Sequence, residues 1–414
     1  MKKIICDVAV VGGGPAGLAA AVAAKKEGAE RVLIVERDNR PGGILQQCIH
    51  PGFGLKLFKK ELTGPEYYTE FVKEAKELGV EFLFDTMVLE LADNTLICAN
   101  GQYGITEVEA GAVVLAMGCR ERTRANISIP GTRPAGVYTA GAAQRLMNRQ
   151  NRMVGKKAVI LGSGDIGMIM ARRLSLEGAE VVCVVEIMNY LAGLKRNKVQ
   201  CLDDFGIPLM LSHTVTEIVG KDRVEGVKVA QVDANRRPIP ETEQFIECDT
   251  LLLSVGLIPE NELSRGAKLQ MHPVTGGPVV DENMQTTAAG VFAAGNVVHV
   301  NDLVDNVSAE SATAGRSAAR YAKGELKASD TLDVTVGNNV RYVCPAKFSP
   351  ERGGKVDFYF RVLAPVAGKV EIIARDGDTV LARRVAPYVN PGEMEHLSPD
   401  VTGARSLTIE VKEV

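Results

Sequence analysis

The chain has 414 residues, carries 48 Lys and Arg against 51 Asp and Glu for a net charge of −3, and contains no Trp. One hydrophobic core does not organise a chain this long, so about two or three domains are expected. The balanced charge excludes a field that gathers nucleic acid or anionic membrane, and 5% aromatic residues exclude a base-stacking platform, which leaves small molecules or other proteins as partners.

The opening MKKIICDVAVV has a basic start and an apolar run, as a signal peptide does. The run is short, broken by Asp7, and continues straight into a glycine turn, so a first strand is expected instead. No stretch approaches the ~20 apolar residues of a membrane span. The eight cysteines (Cys6, Cys48, Cys98, Cys119, Cys183, Cys201, Cys248 and Cys344) include no C-x-x-C, so neither a zinc knuckle nor a redox dithiol is encoded locally. Reduced thiols and a cytoplasmic location are expected.

From Ile4 to Glu36 the sequence reads strand, glycine turn, helix and apolar strand, a βαβ unit feeding a parallel sheet. The pattern recurs from Lys156 to Glu186. Each copy is followed by an apolar strand ending in glycine, GAVVLAMG (111–118) and CDTLLLSVG (248–256). GVFAAGN (290–296) then precedes a helical pattern from about Asn306 to Ala322. This order implies a discontinuous first domain, 1–118 with 255–325, and a second, 119–254, inserted into it. After the linker KGELKASDTLD, the segments VDFYFRVL, KVEIIARD, TVLARRV and SLTIEVK alternate with period two, as in a small antiparallel β domain over 331–414. The expected fold class is therefore α/β: two Rossmann-like dinucleotide-binding domains plus a C-terminal antiparallel β domain, sandwich-like in its alternation.

The glycine turns carry the chemistry. In GGGPAG, Gly12 allows the tight turn, Gly14 lets a pyrophosphate approach the backbone, and Gly17 lets helix and strand pack closely. Pro15 and Ala16 open the helix whose N-terminal amides face the phosphates. Glu36, 24 positions after Gly12, stands where a carboxylate accepts both hydroxyls of an adenosine ribose. Gly162, Gly164 and Gly167 repeat the arrangement, with Glu186 again 24 positions on. A carboxylate there repels a 2′-phosphate, so NAD(H) is favoured over NADP(H).

These motifs, with AMGCRER (116–122), LLLSVGLIPENEL and TTAAGVFAAGN, resemble the two-dinucleotide-binding-domain flavoproteins, the group that contains the pyridine nucleotide-disulfide reductases, over about residues 1–325. The resemblance implies that the first turn binds FAD and the second the nicotinamide cofactor. It implies FAD contacts at Arg37, Gly43, Gln47, Val88, Ala116, Gly118, Gly295 and Asn296, and nicotinamide-cofactor contacts at Asp165, Ile166 and Gly256. Two departures stand out. Asn296 replaces the usual Asp, which removes a charge near the phosphates, and the paired redox cysteines are missing, which argues against a disulfide reductase. GGILQQCIHPGFGL, RNKVQCLDDFGIPLMLSHTV and AAGNVVHVNDLVDNVSAES resemble more closely a branch of bacterial FAD/NAD oxidoreductases that accompany a glycerol-3-phosphate dehydrogenase-like flavoprotein, with related subunits in amine-, opine- and sarcosine-oxidising enzymes. The partner implied by that resemblance is a second flavoprotein or an iron–sulfur subunit.

By the same resemblance, NADH delivers hydride from C4 to flavin N5, with close approach supplying most of the rate. The helix near Asn306 then points its N-terminal amides at the flavin's pyrimidine edge, with Ser308 and Ala309 as candidate contacts. Cys48 and His50 are candidate catalytic groups, with loop packing as their alternative. His299 and Asp302 are expected to cap the following helix rather than form a polar relay. Gln200, Cys201, Asp203 and Asp204 read as a helix surface, and no metal is expected. Three functions compete: the electron-transfer subunit of a multi-subunit dehydrogenase, a free-standing NADH oxidase reducing dioxygen, and a partner-docking subunit with structural FAD.

Overall fold

The computed structural model describes residues 2–414. Contacts within the chain divide it into two compact units: the residues up to Cys119 together with Pro259–Val414, and Arg120–Ile258.

The first unit is built on a seven-stranded sheet. Glu81–Leu83, Val32–Val35, Lys2–Val11 and Gly104–Leu115 run parallel in that order, and Val291–Ala293 joins the far side of Gly104–Leu115 with Val291 opposite Val113. Thr95–Asn100 and Thr86–Ala92 extend the sheet antiparallel. Val8–Val10, Val32–Val35 and Ala112–Leu115 are buried, as continuous apolar runs in a parallel sheet covered on both faces must be. Helices Pro15–Lys26 and Val304–Ala322 pack together so closely that a Cβ on Gly315 would stand 2.0 Å from the Ala20 carbonyl oxygen. The run of alanines in the first helix permits that approach.

The C-terminal strands, expected as a domain of their own, have a separate core yet group with this first unit. A five-stranded sheet and a three-stranded sheet (Val340–Cys344, Phe358–Val362, Glu395–Leu397) enclose Phe358, Phe360, Ile372, Leu407 and Ile409. The pairing is not wholly antiparallel: Leu332–Val336 runs parallel to Leu407–Glu413. Arg352 ties this module to the rest of the unit, donating to Asp281 at 3.0 Å and Glu282 at 2.8 Å.

The second unit has a five-stranded parallel sheet in the order Val137–Thr139, Thr250–Leu253, Lys157–Leu161, Glu180–Glu186, Leu209–Leu211. A three-stranded antiparallel sheet from His213 to Glu247 accompanies it. The two glycine turns thus stand at equivalent places, each after the strand that opens a βαβ unit. Among the described residues no helix is long and apolar enough to cross a membrane.

Candidate functional site: two glycine turns and the loop before the last helix

Backbone crowding demands two of the first turn's glycines. Gly12 has φ +103°, and a Cβ there would lie 2.6 Å from the Ala116 carbonyl oxygen; one on Gly17 would lie 1.8 Å from the oxygen of Gly12. Gly14 is different, because the nearest atom to a Cβ there is Gly43 Cα at 3.9 Å. Packing within the protein does not require glycine at that point, and the space there is open to a ligand. Gly14 is also the N-cap of Pro15–Lys26, with no side-chain cap and no acidic residue in the first turn. The amides at that end and the positive pole of the helix are therefore free to meet an anion.

Around this turn the expected contacts fall into two groups. Ala116 and Val88 are buried, and Gly118 has open space about its Cα. Glu36 is buried, and its carboxylate accepts the N–H of Gly13 at 2.6 Å and of Asp38 at 2.7 Å. Two acceptor positions expected for a ribose are thus already holding the turn in shape, which leaves the remaining lone pairs for a ligand. Arg37 is exposed, and Gln47 is buried in the short helix Gly43–Gln47.

A second segment of the same unit closes on the turn. A Cβ on Gly295, at φ +75°, would stand 2.9 Å from Ala16 Cβ, so the Gly295–Asn296 turn lies against the start of the first helix. Asn296 accepts the backbone N–H of Asn301 through Oδ1 at 3.0 Å and donates through Nδ2 to Cys119 Sγ at 3.6 Å. The following helix, Val304–Ala322, has Leu303 as its N-cap and no side-chain cap. His299 and Asp302 therefore do not cap it. Asp302 accepts the Met394 N–H at 2.9 Å, and His299 Nε2 meets Glu310 Oε1 at 2.8 Å, because strands near the C-terminus and the body of the helix offer partners that local sequence does not reveal. Ser308 is buried with its hydroxyl 2.8 Å from the Tyr67 hydroxyl, whereas Ala309 is exposed. Lys56 reaches over the helix start, its N–H on Asp305 Oδ2 at 3.0 Å and its Nζ on Asn306 Oδ1 at 3.2 Å.

Buried polar atoms without a protein partner gather in these same segments: Gln46 Oε1, Asn301 Oδ1 and Ser311 Oγ. Buried polar groups are ordinarily satisfied. Ser311 Oγ lies 3.9 Å from the position of a Gly295 Cβ. Open helix amides, room at Gly14 and orphaned polar atoms together fit a dinucleotide with a polar ring system. Gln46, Lys56, Asn301 and Ser311 were not foreseen from the sequence, since no motif marks them.

Cys48 and His50 lie beyond the short helix. The Cys48 thiol is buried, 3.3 Å from the Ile44 oxygen, and burial pushes its pKa up to about 12. It is protonated at neutral pH and packs tightly, since a Cβ on Gly64 would lie 2.8 Å from Cys48 Cβ. The His50 ring stands 5.0 Å from the Phe53 ring.

In the second unit, a Cβ on Gly162 would lie 2.1 Å from the Ser254 oxygen, the same close approach as at Gly12. Glu186 is buried and accepts from Ser163 N–H at 2.8 Å, Ser163 Oγ at 2.7 Å and Met188 N–H at 2.9 Å. Asp165, first residue of helix Asp165–Leu176, accepts from Leu194 N–H at 2.8 Å and Asn197 Nδ2 at 2.7 Å. Ile166 packs on the unit's core. Gly256, at φ +103°, accepts the Arg122 N–H on its carbonyl oxygen at 3.0 Å. Of the cluster near residue 200, Cys201 is buried and Asp203 pairs with Lys198 at 2.7 Å.

One buried polar group was not foreseen. His299, Glu310 and Cys344 place their candidate ligand atoms within 4.8 Å of one another. Glu310 meets His299, accepts from Asn301 Nδ2 at 2.8 Å and accepts from Cys344 Sγ at 3.9 Å, so hydrogen bonds alone account for the arrangement.

Comparison with known proteins agrees with this geometry. An opine oxidase subunit of Agrobacterium tumefaciens is 28% identical over 93% of this chain and 79% of its own length. The hydrogen cyanide synthase subunit HcnB of Pseudomonas protegens is 25% identical over 90% of this chain and 81% of its own. Among solved structures, thioredoxin reductase of T. acidophilum superposes with a TM-score of 0.63 at 24% identity, covering 77% of this chain and 99% of that one, a likeness of fold. Residues 6–319 match the pyridine nucleotide-disulphide oxidoreductase family, whose members are FAD- and NAD(P)-dependent oxidoreductases, and the chain belongs to that family.

Proposed function

We infer that the protein transfers hydride between NAD(H) and a tightly held FAD, as the electron-transfer subunit of a multi-subunit dehydrogenase whose partner is a second flavoprotein, of the glycerol-3-phosphate dehydrogenase-like kind, or an iron–sulfur subunit. The observation that carries this reading is the first glycine turn, where Gly14 leaves room that no protein atom uses and the segments packed against the turn carry the unpartnered Gln46 Oε1 and Ser311 Oγ. FAD, when bound, supplies an N5 position that takes or gives hydride. The chain's own part is to bind and orient. The first helix presents its amides to the phosphates, Glu36 fixes the turn, and Gly295–Asn296 closes over the first helix turn. Glu186 places a buried carboxylate where the adenosine ribose of a nicotinamide cofactor is expected, which favours NAD(H).

Disulfide reduction is disfavoured, because the sequence carries no C-x-x-C pair and the Cys48 thiol is buried, with its pKa pushed up to about 12. Membership of a larger enzyme is supported by the two relatives, which are themselves named as subunits. Anaerobic titration of the purified yellow protein with NADH and NADPH tests the reading. Stoichiometric bleaching by NADH at lower concentration than NADPH is expected; a flavin that neither nucleotide reduces overturns it. Persistence of the reduced flavin in air for minutes distinguishes an electron-transfer role from that of a dioxygen-reducing oxidase.

A further inference from the structure

We propose that Glu310 is a positioning residue for the flavin, and that the C-terminal β module grips the cofactor loop through it and through Arg361, so that the module sets how tightly FAD is held and how readily it is reduced. The proposal rests on the FAD reading above.

The loop from Asn296 to Leu303 joins the Gly295 turn to the last helix, and most polar groups along it are tied down. Asn301 gives its backbone N–H to Asn296 Oδ1 at 3.0 Å and its side-chain N–H to Glu310 Oε2 at 2.8 Å. His299 meets the other oxygen of Glu310 at 2.8 Å. Glu310, on the last helix, thus holds both arms of the loop, and through Asn301 it fixes which way the Asn296 amide faces. The C-terminal strands supply the rest. Arg361 donates to the Val300 oxygen at 3.1 Å and the Pro391 oxygen at 3.0 Å, and the Met394 N–H donates to Asp302 at 2.9 Å. Tyr342 and Tyr359 place their rings 5.8 and 6.4 Å from that of His299, and Cys344 donates to Glu310.

The centre of this network is buried: His299 is 0% exposed, Glu310 5% and Cys344 3%. A carboxylate in such surroundings is held by its donors, and loss of one leaves a buried group unpaired. Gln in place of Glu310 keeps an acceptor for Asn301 but turns an N–H toward His299, which must change tautomer to accept it and then leaves its Nδ1–H buried without a partner. Replacement also removes a negative charge from beside the cofactor loop, which favours an anionic reduced flavin. Slack in the loop and a higher reduction potential are the joint signature.

The test uses the full chain with its flavin. Glu310→Gln is expected to lose FAD at least tenfold more readily on dilution and to move the flavin midpoint potential to more positive values. Arg361→Ala, on a C-terminal strand, is expected to weaken FAD retention as well, with partial rescue by Arg361→Lys. Arg375→Ala removes a 2.8 Å ion pair with Glu410 in the module's other sheet and serves as the control for a merely loosened module. Equal FAD loss from Arg361→Ala and Arg375→Ala, or unchanged potential and retention in Glu310→Gln, overturns the proposal. So does a stoichiometric metal ion in the wild-type protein that His299→Ala abolishes. A wild-type protein that takes up no FAD defeats the functional reading itself, whereas yellow wild-type protein with unresponsive variants defeats only the positioning role.

Discussion

The two glycine turns share a plan and differ in how much of it they keep for themselves. At the first, no acidic side chain enters the helix start and Gly14 has space around it. At the second, Asp165 occupies the first helical position, Ser254 Oγ takes the Gly167 N–H at 3.1 Å, and a Cβ on Gly193 would lie 2.9 Å from the Asp165 amide. A helix end with one amide already taken and a carboxylate in its first turn has less to gain from an anion than one with neither. On the proposed reading, the first turn then suits a resident dinucleotide and the second one that exchanges.

The sharpest way to break that contrast is to fill both turns. Gly14→Ala meets no protein atom closer than 3.9 Å, so the apoprotein is expected to keep its denaturation midpoint while FAD affinity falls on the order of a hundredfold, about 2.7 kcal/mol. Gly164→Ala is expected to keep the flavin and raise only the KM for NADH. Similar loss of flavin from both, read by absorbance after gel filtration, abolishes the distinction.

The paired carboxylates come next. Glu36→Gln is expected to weaken FAD roughly tenfold, since one of the two backbone N–H groups on the carboxylate, Gly13 or Asp38, then faces the amide NH2 instead of an acceptor oxygen. Glu186→Gln is expected to leave FAD in place and shift the NADH-to-NADPH preference roughly tenfold toward NADPH. An unchanged preference in stopped-flow reduction would remove Glu186 from nucleotide selection.

A smaller effect concerns both units alike. Burial pushes Cys6 and Cys48 to about 12 and Cys98, Cys183, Cys201 and Cys248 to about 11. These thiols stay protonated in the folded protein but ionise at about pH 8.5 when unfolded. A raised folded pKa gives stability that is whole below the unfolded value and is lost as pH rises toward the folded one. The melting temperature is therefore expected to hold from about pH 7 to 8 and fall between about pH 9 and 11; a flat profile there contradicts the burial of these groups. Least of all, Cys48→Ala is expected to cost about 1 kcal/mol of stability and leave flavin reduction by NADH within about twofold. A rate loss on the order of a hundredfold would restore Cys48 to the chemistry.

The sequence made visible whatever is local. Each βαβ unit, its glycines and its terminal glutamate lie within about thirty residues, and period-two alternation marked the C-terminal strands. What stayed hidden depends on distant partners. Glu36 and Glu186 looked free for ribose, yet each spends acceptors on its own turn, Gly13 in one case and Ser163 in the other. Asp302 looked like a cap because Met394 is 92 positions away. The partner of the Ser308 hydroxyl was hidden in the same way, since nothing near it in sequence announced Tyr67, which sits on a helix that the Thr63–Glu66 capping box begins.

The interrupted layout of the first unit also bears on how the chain is made. Val113 must await Val291, its neighbour in the sheet, and 178 residues (291 − 113) separate them. At ~5–20 residues per second of synthesis, that strand edge stands uncovered on the ribosome for on the order of ten to forty seconds. Within Arg120–Ile258 the longest such gap is shorter, 114 residues (251 − 137) between Val137 and Leu251. Of the two units, the first is therefore the one whose nascent form presents an open apolar edge to other chains for longer.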